Sequence, residues 1–150
     1  MLNSMNAPQR EAVKYLDGPL LVLAGAGSGK TRVITQKISY LIKEAGYGPK
    51  EIAAITFTNK AALEMQERVG KLMQGTNIKG LTIATFHSLG LQMLRAEAAL
   101  LGYKPQFSIL DSSDSFKILA DVLATTDKQL LRKTQWQISN WKNAFVNPDQ

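Results

Sequence analysis

The sequence predicts an α/β fold: a parallel sheet with helices on both faces, followed by a helical region. Three observations carry this prediction. Apolar, partly β-branched runs recur at residues 20–23, 52–57 and 81–84, spaced roughly 30 residues apart. A stripe of apolar residues at helical spacing follows each run, and strands alternating with helices build βαβ units with a parallel sheet. Between the first run and its helix lies a glycine-rich loop, Ala24-Gly25-Ala26-Gly27-Ser28-Gly29-Lys30-Thr31.

Taken in order, the chain begins with Asn6 three residues before Gln9, the spacing of a capping box that starts a helix. The run Leu20, Leu21, Val22, Leu23 is the expected first strand. Ile34, Ile38, Leu41 and Ile42 form the stripe of the next helix, which should end near Gly46. The second strand leads to the stripe Ala62, Met65, Val69 and Leu72, ending near Gly75. The third leads to Leu91, Leu94, Ala98 and Leu101, ending at Gly102. Beyond Gly102 the pattern changes. Residues 107–110 read as a short strand or an extended link, and Asp111 as the N-cap of a helix through Ile118, Leu119 and Val122. A last helix carries Leu131, Ile138, Trp141 and Phe145 before Pro148.

Composition narrows the function classes. The 150 residues are 45% hydrophobic and 20% charged, a globular balance. Without cysteine there is no disulfide framework and no cysteine-held metal, and the single His87 excludes most histidine sites. No apolar run approaches the ~18 residues that span a bilayer. The start, with Asn3, Asn6, Gln9, Arg10 and Glu11, lacks a signal-peptide pattern, so a cytoplasmic protein with no membrane partner is expected. The net charge of +6 is uneven. Residues 1–90 hold eleven Lys/Arg against six Asp/Glu, residues 91–150 seven against six. The basic part suits polyanionic partners.

The loop at residues 24–31 has the context of a Walker A phosphate loop, after a strand and opening a helix. Glycines let successive N–H groups turn toward phosphate oxygens, and the helix N-terminus adds positive potential. Lys30 can reach the β- and γ-phosphates, and the Thr31 hydroxyl can ligate Mg²⁺. The strict pattern begins with Gly where this chain has Ala24. Kinases, GTPases, ATPases and helicases all use such a loop, so other residues must discriminate.

Two strand ends supply them. The second strand ends in Thr56-Phe57-Thr58-Asn59-Lys60-Ala61-Ala62, the third in Thr85-Phe86-His87-Ser88. By residue type alone, Thr58 and Thr85 are helix caps, Phe57 is core and His87 is structural. With Met5 to Val13 and the loop wording from Leu23 to Val33, however, these stretches resemble the UvrD/Rep family of superfamily 1 DNA helicases over essentially the whole chain. The start is similar to that family's Q motif, with Met5-Asn6 where Leu-Asn is usual. The strand ends are similar to its motifs Ia and Ib.

The resemblance implies a RecA-like, P-loop NTPase core domain whose first part is residues 1–89, with residues 90–150 beginning a helical insertion subdomain. It implies ATP and Mg²⁺ as cofactors, Gln9 recognising adenine, Arg32 near the nucleotide, and Lys30 and Thr31 as the catalytic pair of the loop. It implies single-stranded DNA contacts by Phe57, Thr58, Asn59, Lys60, Thr85, Phe86 and His87, where amides and hydroxyls hold phosphates and a ring stacks on a base. Single strands and duplex junctions are the implied substrates, with 3′ to 5′ movement.

The family's hydrolytic Asp-Glu pair occurs nowhere in these 150 residues. Asp111 follows an apolar stretch but is itself followed by Ser112, and reads as a cap. The chain is therefore expected to be an N-terminal fragment, inactive alone, that needs the remaining helicase domains and that could dimerise through its helical part. A small-molecule kinase, a GTPase and a nonenzymatic single-strand binder are the rivals. The kinase gives no reason for residues 56–62, and Asn59-Lys60-Ala61-Ala62 lacks the Asp of a guanine site.

Overall fold

A computed structural model of the protein describes residues 2–104 and 106–149. Its fold is α/β, with a small parallel sheet and six α-helices among the described residues. The chain divides into two compact units, Met1–Ala98 and Ala99–Gln150.

In the first unit, a 3₁₀ turn at Leu2–Ser4 precedes α1 (Ala7–Lys14), and α2 (Lys30–Lys43) follows the glycine-rich loop. Strand β1 (Ala53–Thr56), helix α3 (Asn59–Leu72) and strand β2 (Thr82–Thr85) make one βαβ unit, and α4 (Phe86–Ala96) follows. The two strands pair in parallel, with Ala53 opposite Thr82 and Thr56 opposite Thr85. Parallel neighbours need a crossover, and α3 provides it.

Its boundaries follow from local chemistry. The Thr58 hydroxyl accepts from the Ala61 N–H at 3.1 Å, and at the far end Lys43 Nζ donates to the Leu72 carbonyl at 2.9 Å. Ala62, Met65 and Val69 form its buried face. Met65 and Val69 belong to a core in which Ile38, Ile52, Ala54, Met65, Val69, Met73 and Ile83 pack together. Burying each larger side chain is worth about 1.5–3 kcal/mol, so this cluster holds α2, α3 and the sheet in place. The Gln66 amide donates to the Ile83 carbonyl at 2.8 Å, tying the crossover to β2 through a polar contact as well.

Two expected elements differ. The third helix stops at Ala96, with Ala98 and Leu101 in a separate 3₁₀ turn (Ala98–Leu101), and the first strand does not form. Residues 20–23 form no strand, and Leu21 and Leu23 are 81% and 87% exposed. A strand exists only through a neighbour that accepts and donates along its edge. The two-stranded sheet does not extend to this run, so its apolar side chains remain uncovered.

In the second unit, α5 (Ser112–Val122) packs on α6 (Lys128–Asn143). Asp111 is the N-cap of α5, accepting from the Asp114 N–H at 2.8 Å in a capping box. The stretch 107–110 is an irregular link without strand pairing. Asp127 caps α6 through the Gln129 and Leu130 N–H groups. Gln135 Nε2 donates to the Ser112 carbonyl at 3.0 Å, joining the two helices. The expected apolar stripe is unevenly used: Leu131 is buried, Trp141 is 50% exposed, and Phe145 falls beyond the end of α6 and is 92% exposed. Phe145 adopts a left-handed φ of 56°, as the Val146 N–H closes the helix end on the Trp141 carbonyl.

Candidate nucleotide-binding site

The loop before α2 curls because two glycines take conformations other residues resist. Gly27 has φ 74° and Gly29 has φ 86°. The curl brings Ser28 back to Gly25, whose carbonyl accepts from Ser28 Oγ at 2.7 Å. Helix α2 begins immediately, its first bond running from the Val33 N–H to the Gly29 carbonyl at 3.0 Å. The N–H groups of the preceding turn have no intrahelical acceptor and form an electropositive cradle. Lys30 turns back over the same loop, its ammonium donating to the Ala24 carbonyl at 3.0 Å and the Gly25 carbonyl at 2.6 Å. Thr31 is exposed on the first turn of α2. A Cβ placed on Gly25 or Gly27 would meet nothing within 4 Å, so the concavity beside them is open.

Helix α1 closes one side. Asn6 caps it in a reciprocal box, its Oδ1 accepting from the Gln9 N–H while Gln9 Oε1 accepts from the Asn6 N–H. The same Gln9 amide reaches across 19 residues of sequence to donate from Nε2 to the Ser28 carbonyl at 2.9 Å. Capping and a loop contact are thus combined in one side chain. These two partners fix the amide's orientation, one requiring its oxygen and the other its nitrogen. Gln9 Nε2 also lies 3.1 Å from where a Cβ on Gly29 would stand. Arg32 donates to Ser4 Oγ at 2.5 Å, and Arg10 donates to the Met5 carbonyl, so these two arginines are held by residues 4 and 5. The opening beside the loop is a cleft of ≈ 840 Å³, with Gln9, Ser28, Lys30 and Lys37 among its polar walls.

A second cluster of sequence-predicted residues occupies the strand ends. Phe57 is 95% exposed and Phe86 is 73% exposed, so neither serves the core. Asn59, Lys60 and His87 are exposed as well. Thr58 and Thr85 act as helix caps, Thr85 Oγ1 accepting from the Ser88 N–H at 3.2 Å. Thr85 Oγ1 also lies 2.9 Å from Ser88 Oγ and 3.5 Å from Asn59 Oδ1, which links the starts of α3 and α4.

The sequence profile of the UvrD/REP helicase N-terminal domain matches residues 5–150. The chain belongs to this helicase family. It is 50% identical over 149 residues to the ATP-dependent DNA helicase Rep of Escherichia coli strain K12, covering 97% of this chain and 22% of that protein. The Rep helicase of Salmonella typhimurium is also 50% identical, over the same shares. The ATP-dependent DNA helicase PcrA of Staphylococcus aureus is 45% identical over 152 residues, covering 99% of this chain and 21% of that one. The chain therefore spans about a fifth of the length of these relatives. No helix among the described residues is long and apolar enough to cross a membrane.

Two participants escaped the reading of the sequence. Ser4 holds Arg32, and Lys37 donates to two carbonyls at the end of α1. The available signal for Lys37 was its spacing: seven residues after Lys30, it lies on the same side of α2.

Proposed function

We propose that this chain is the ATP-binding N-terminal part of an ATP-dependent DNA helicase that moves 3′ to 5′ on single-stranded DNA and unwinds duplex junctions. Residues 1–89 are assigned to the first part of a RecA-like, P-loop core domain, and residues 90–150 to the beginning of a helical insertion subdomain. The observation that carries this reading is the pose of Lys30. Its ammonium rests on the carbonyls of Ala24 and Gly25, beside the N–H cradle of α2, where phosphate oxygens would be stronger partners than carbonyls.

The residues present fit a Mg²⁺-bound ATP. The open curve at Gly25 and Gly27 accommodates a polyphosphate, Lys30 neutralises it, and the exposed Thr31 hydroxyl is available to the cation. When bound, ATP supplies the free energy of phosphoanhydride cleavage. Base selection falls to Gln9. A glutamine amide has two N–H donors and two acceptor lone pairs. One donor is committed to the Ser28 carbonyl and one lone pair to the Asn6 N–H. The remaining donor and lone pair match the N7 acceptor and N6 amine of adenine, whereas the same edge of guanine offers two acceptors.

The strand ends are assigned to single-stranded DNA. Phe57 and Phe86 offer ring faces, Asn59, Thr58, Thr85 and His87 offer polar groups, and Lys60 adds charge. The 150 residues contain no Asp-Glu pair to hold the cation and activate water, so the chain alone should bind nucleotide without sustained hydrolysis or unwinding. Strand displacement by the full-length helicase, on duplexes with a 3′ or a 5′ tail, tests function and polarity together. Unwinding of 3′-tailed duplexes that disappears with Lys30→Ala is the expected result, and unwinding that survives this substitution would overturn the proposal.

A further inference from the structure

Lys37 has a place in the site that its position on a helix surface does not explain. It sits two turns beyond Lys30 on α2 and donates from Nζ to the Ala12 carbonyl at 3.0 Å and the Tyr15 carbonyl at 2.6 Å. These carbonyls belong to the C-terminal end of α1, where the last turn lacks N–H partners and the helix dipole is negative. Val13, fully buried, fastens the same end by packing. The ammonium thus supplies what packing cannot, a directional bond that sets how α1 lies against α2. Partial burial favours its neutral form and lowers its pKa from the usual value, a cost these two bonds offset.

The other end of α1 carries the site. Gln9 is in its first turn, one bond from Ser28 and in close approach to Gly29. A helix of eight residues is about 12 Å long and stiff, so a shift at Ala12 and Tyr15 is delivered to Gln9 nearly undiminished. Two lysines on one side of α2 therefore bracket the cleft. Lys30 faces the loop directly, while Lys37 faces the helix that presents the amide.

We infer that Lys37 is a positioning residue for nucleotide recognition: by holding the C-terminal end of α1 on α2, it seats the Gln9 amide over the phosphate loop and thereby sets the preference for adenine over guanine. The inference rests on the nucleotide reading above and deepens it.

Steady-state ATPase and GTPase kinetics of the full-length helicase test it. Lys37→Met keeps the aliphatic stem and removes the donors. It should raise KM for ATP by about fivefold, the equivalent of one ordinary hydrogen bond, and leave KM for GTP and kcat within about twofold. Lys37→Arg, which keeps two donors, should recover the wild-type ratio, and Lys37→Gln should fall between. In a Gln9→Ala background, Lys37→Met should change nothing further, because the two act through one contact. An unchanged ATP-to-GTP ratio in Lys37→Met, with or without a lower melting temperature, overturns the inference, as does a full effect in the Gln9→Ala background. ATP turnover that survives Lys30→Ala would instead overturn the nucleotide reading on which it stands.

Discussion

The glycine-rich loop and the strand ends are both short polar turns that open a helix, yet they hold their side chains in opposite ways. At the loop, Lys30, Ser28 and Gln9 are all turned onto backbone carbonyls of the same small region. At the strand ends, the threonines are spent on capping while Phe57 and Phe86 project outward. The loop is a closed set of polar bonds, and the nucleotide proposed for it would have to exchange them one for another. The strand ends present finished surface that costs nothing to expose further. The difference teaches that polar side chains find backbone partners within their own loop, whereas an aromatic ring at a strand end has none to turn to.

The largest expected effect breaks this contrast at the loop. Lys30→Ala should weaken nucleotide binding on the order of 100-fold, equivalent to about 3 kcal/mol for a charge-assisted bond. Stability should change within about 0.5 kcal/mol, as for other exposed positions. Titration with a fluorescent ATP analogue, beside a thermal melt, measures both. A melt that collapses while affinity holds would make Lys30 a structural strut.

At the strand ends, Phe57→Ala should weaken single-stranded DNA binding of the full-length protein by about 1–3 kcal/mol. Its stability loss should stay well below the ~3–5 kcal/mol of an emptied core phenylalanine site. Fluorescence anisotropy with a labelled oligonucleotide gives the first number and chemical denaturation the second.

Thr58→Ala sharpens the contrast from the capping side. Loss of the bond to the Ala61 N–H should lower stability by about 1 kcal/mol, read in the same denaturation experiment. If DNA affinity falls with little stability lost, Thr58 serves the ligand more than the helix. Smallest is Lys60→Ala, which should lower the salt dependence of DNA binding by up to about one phosphate contact without altering sequence preference. An unchanged slope in a salt titration would leave Lys60 as plain solvated charge.

Local chemistry explains what the sequence made legible. The Asn6–Gln9 capping box, the Asp111 cap and the stripe Ala62, Met65, Val69 and Leu72 depend on residues within a turn or two of one another, and the structure has each of them, except that Leu72 is only half-buried and Met73 is buried beside it. The strand beginning at Ala53 lies within the expected run 52–57, and the one beginning at Thr82 starts in the run 81–84 and ends one residue past it, because the two supply one another's hydrogen bonds. Residues 20–23 have the same apolar character and form no strand, since apolarity expresses a need for burial while pairing requires an adjacent edge. Phe57 was a core residue by type and proved 95% exposed, because a single aromatic at a strand end carries no periodicity to say which way it faces. The family resemblance, not the residue pattern, pointed it outward. Lys37 stayed hidden for a related reason. Its partners are 25 and 22 residues away, and they are backbone carbonyls, which any residue would supply.

The side-by-side pairing of Thr56 with Thr85, with Asn59 Oδ1 3.5 Å from Thr85 Oγ1, has a mechanical consequence. A pull applied at Phe57 passes into β1, across the ladder into β2, and out to Phe86, with the buried Thr85 in the load path. Neither loop can yield far without dragging the other. If the two ends hold a nucleic-acid strand as proposed, traction on it would load them as a single stiff foot.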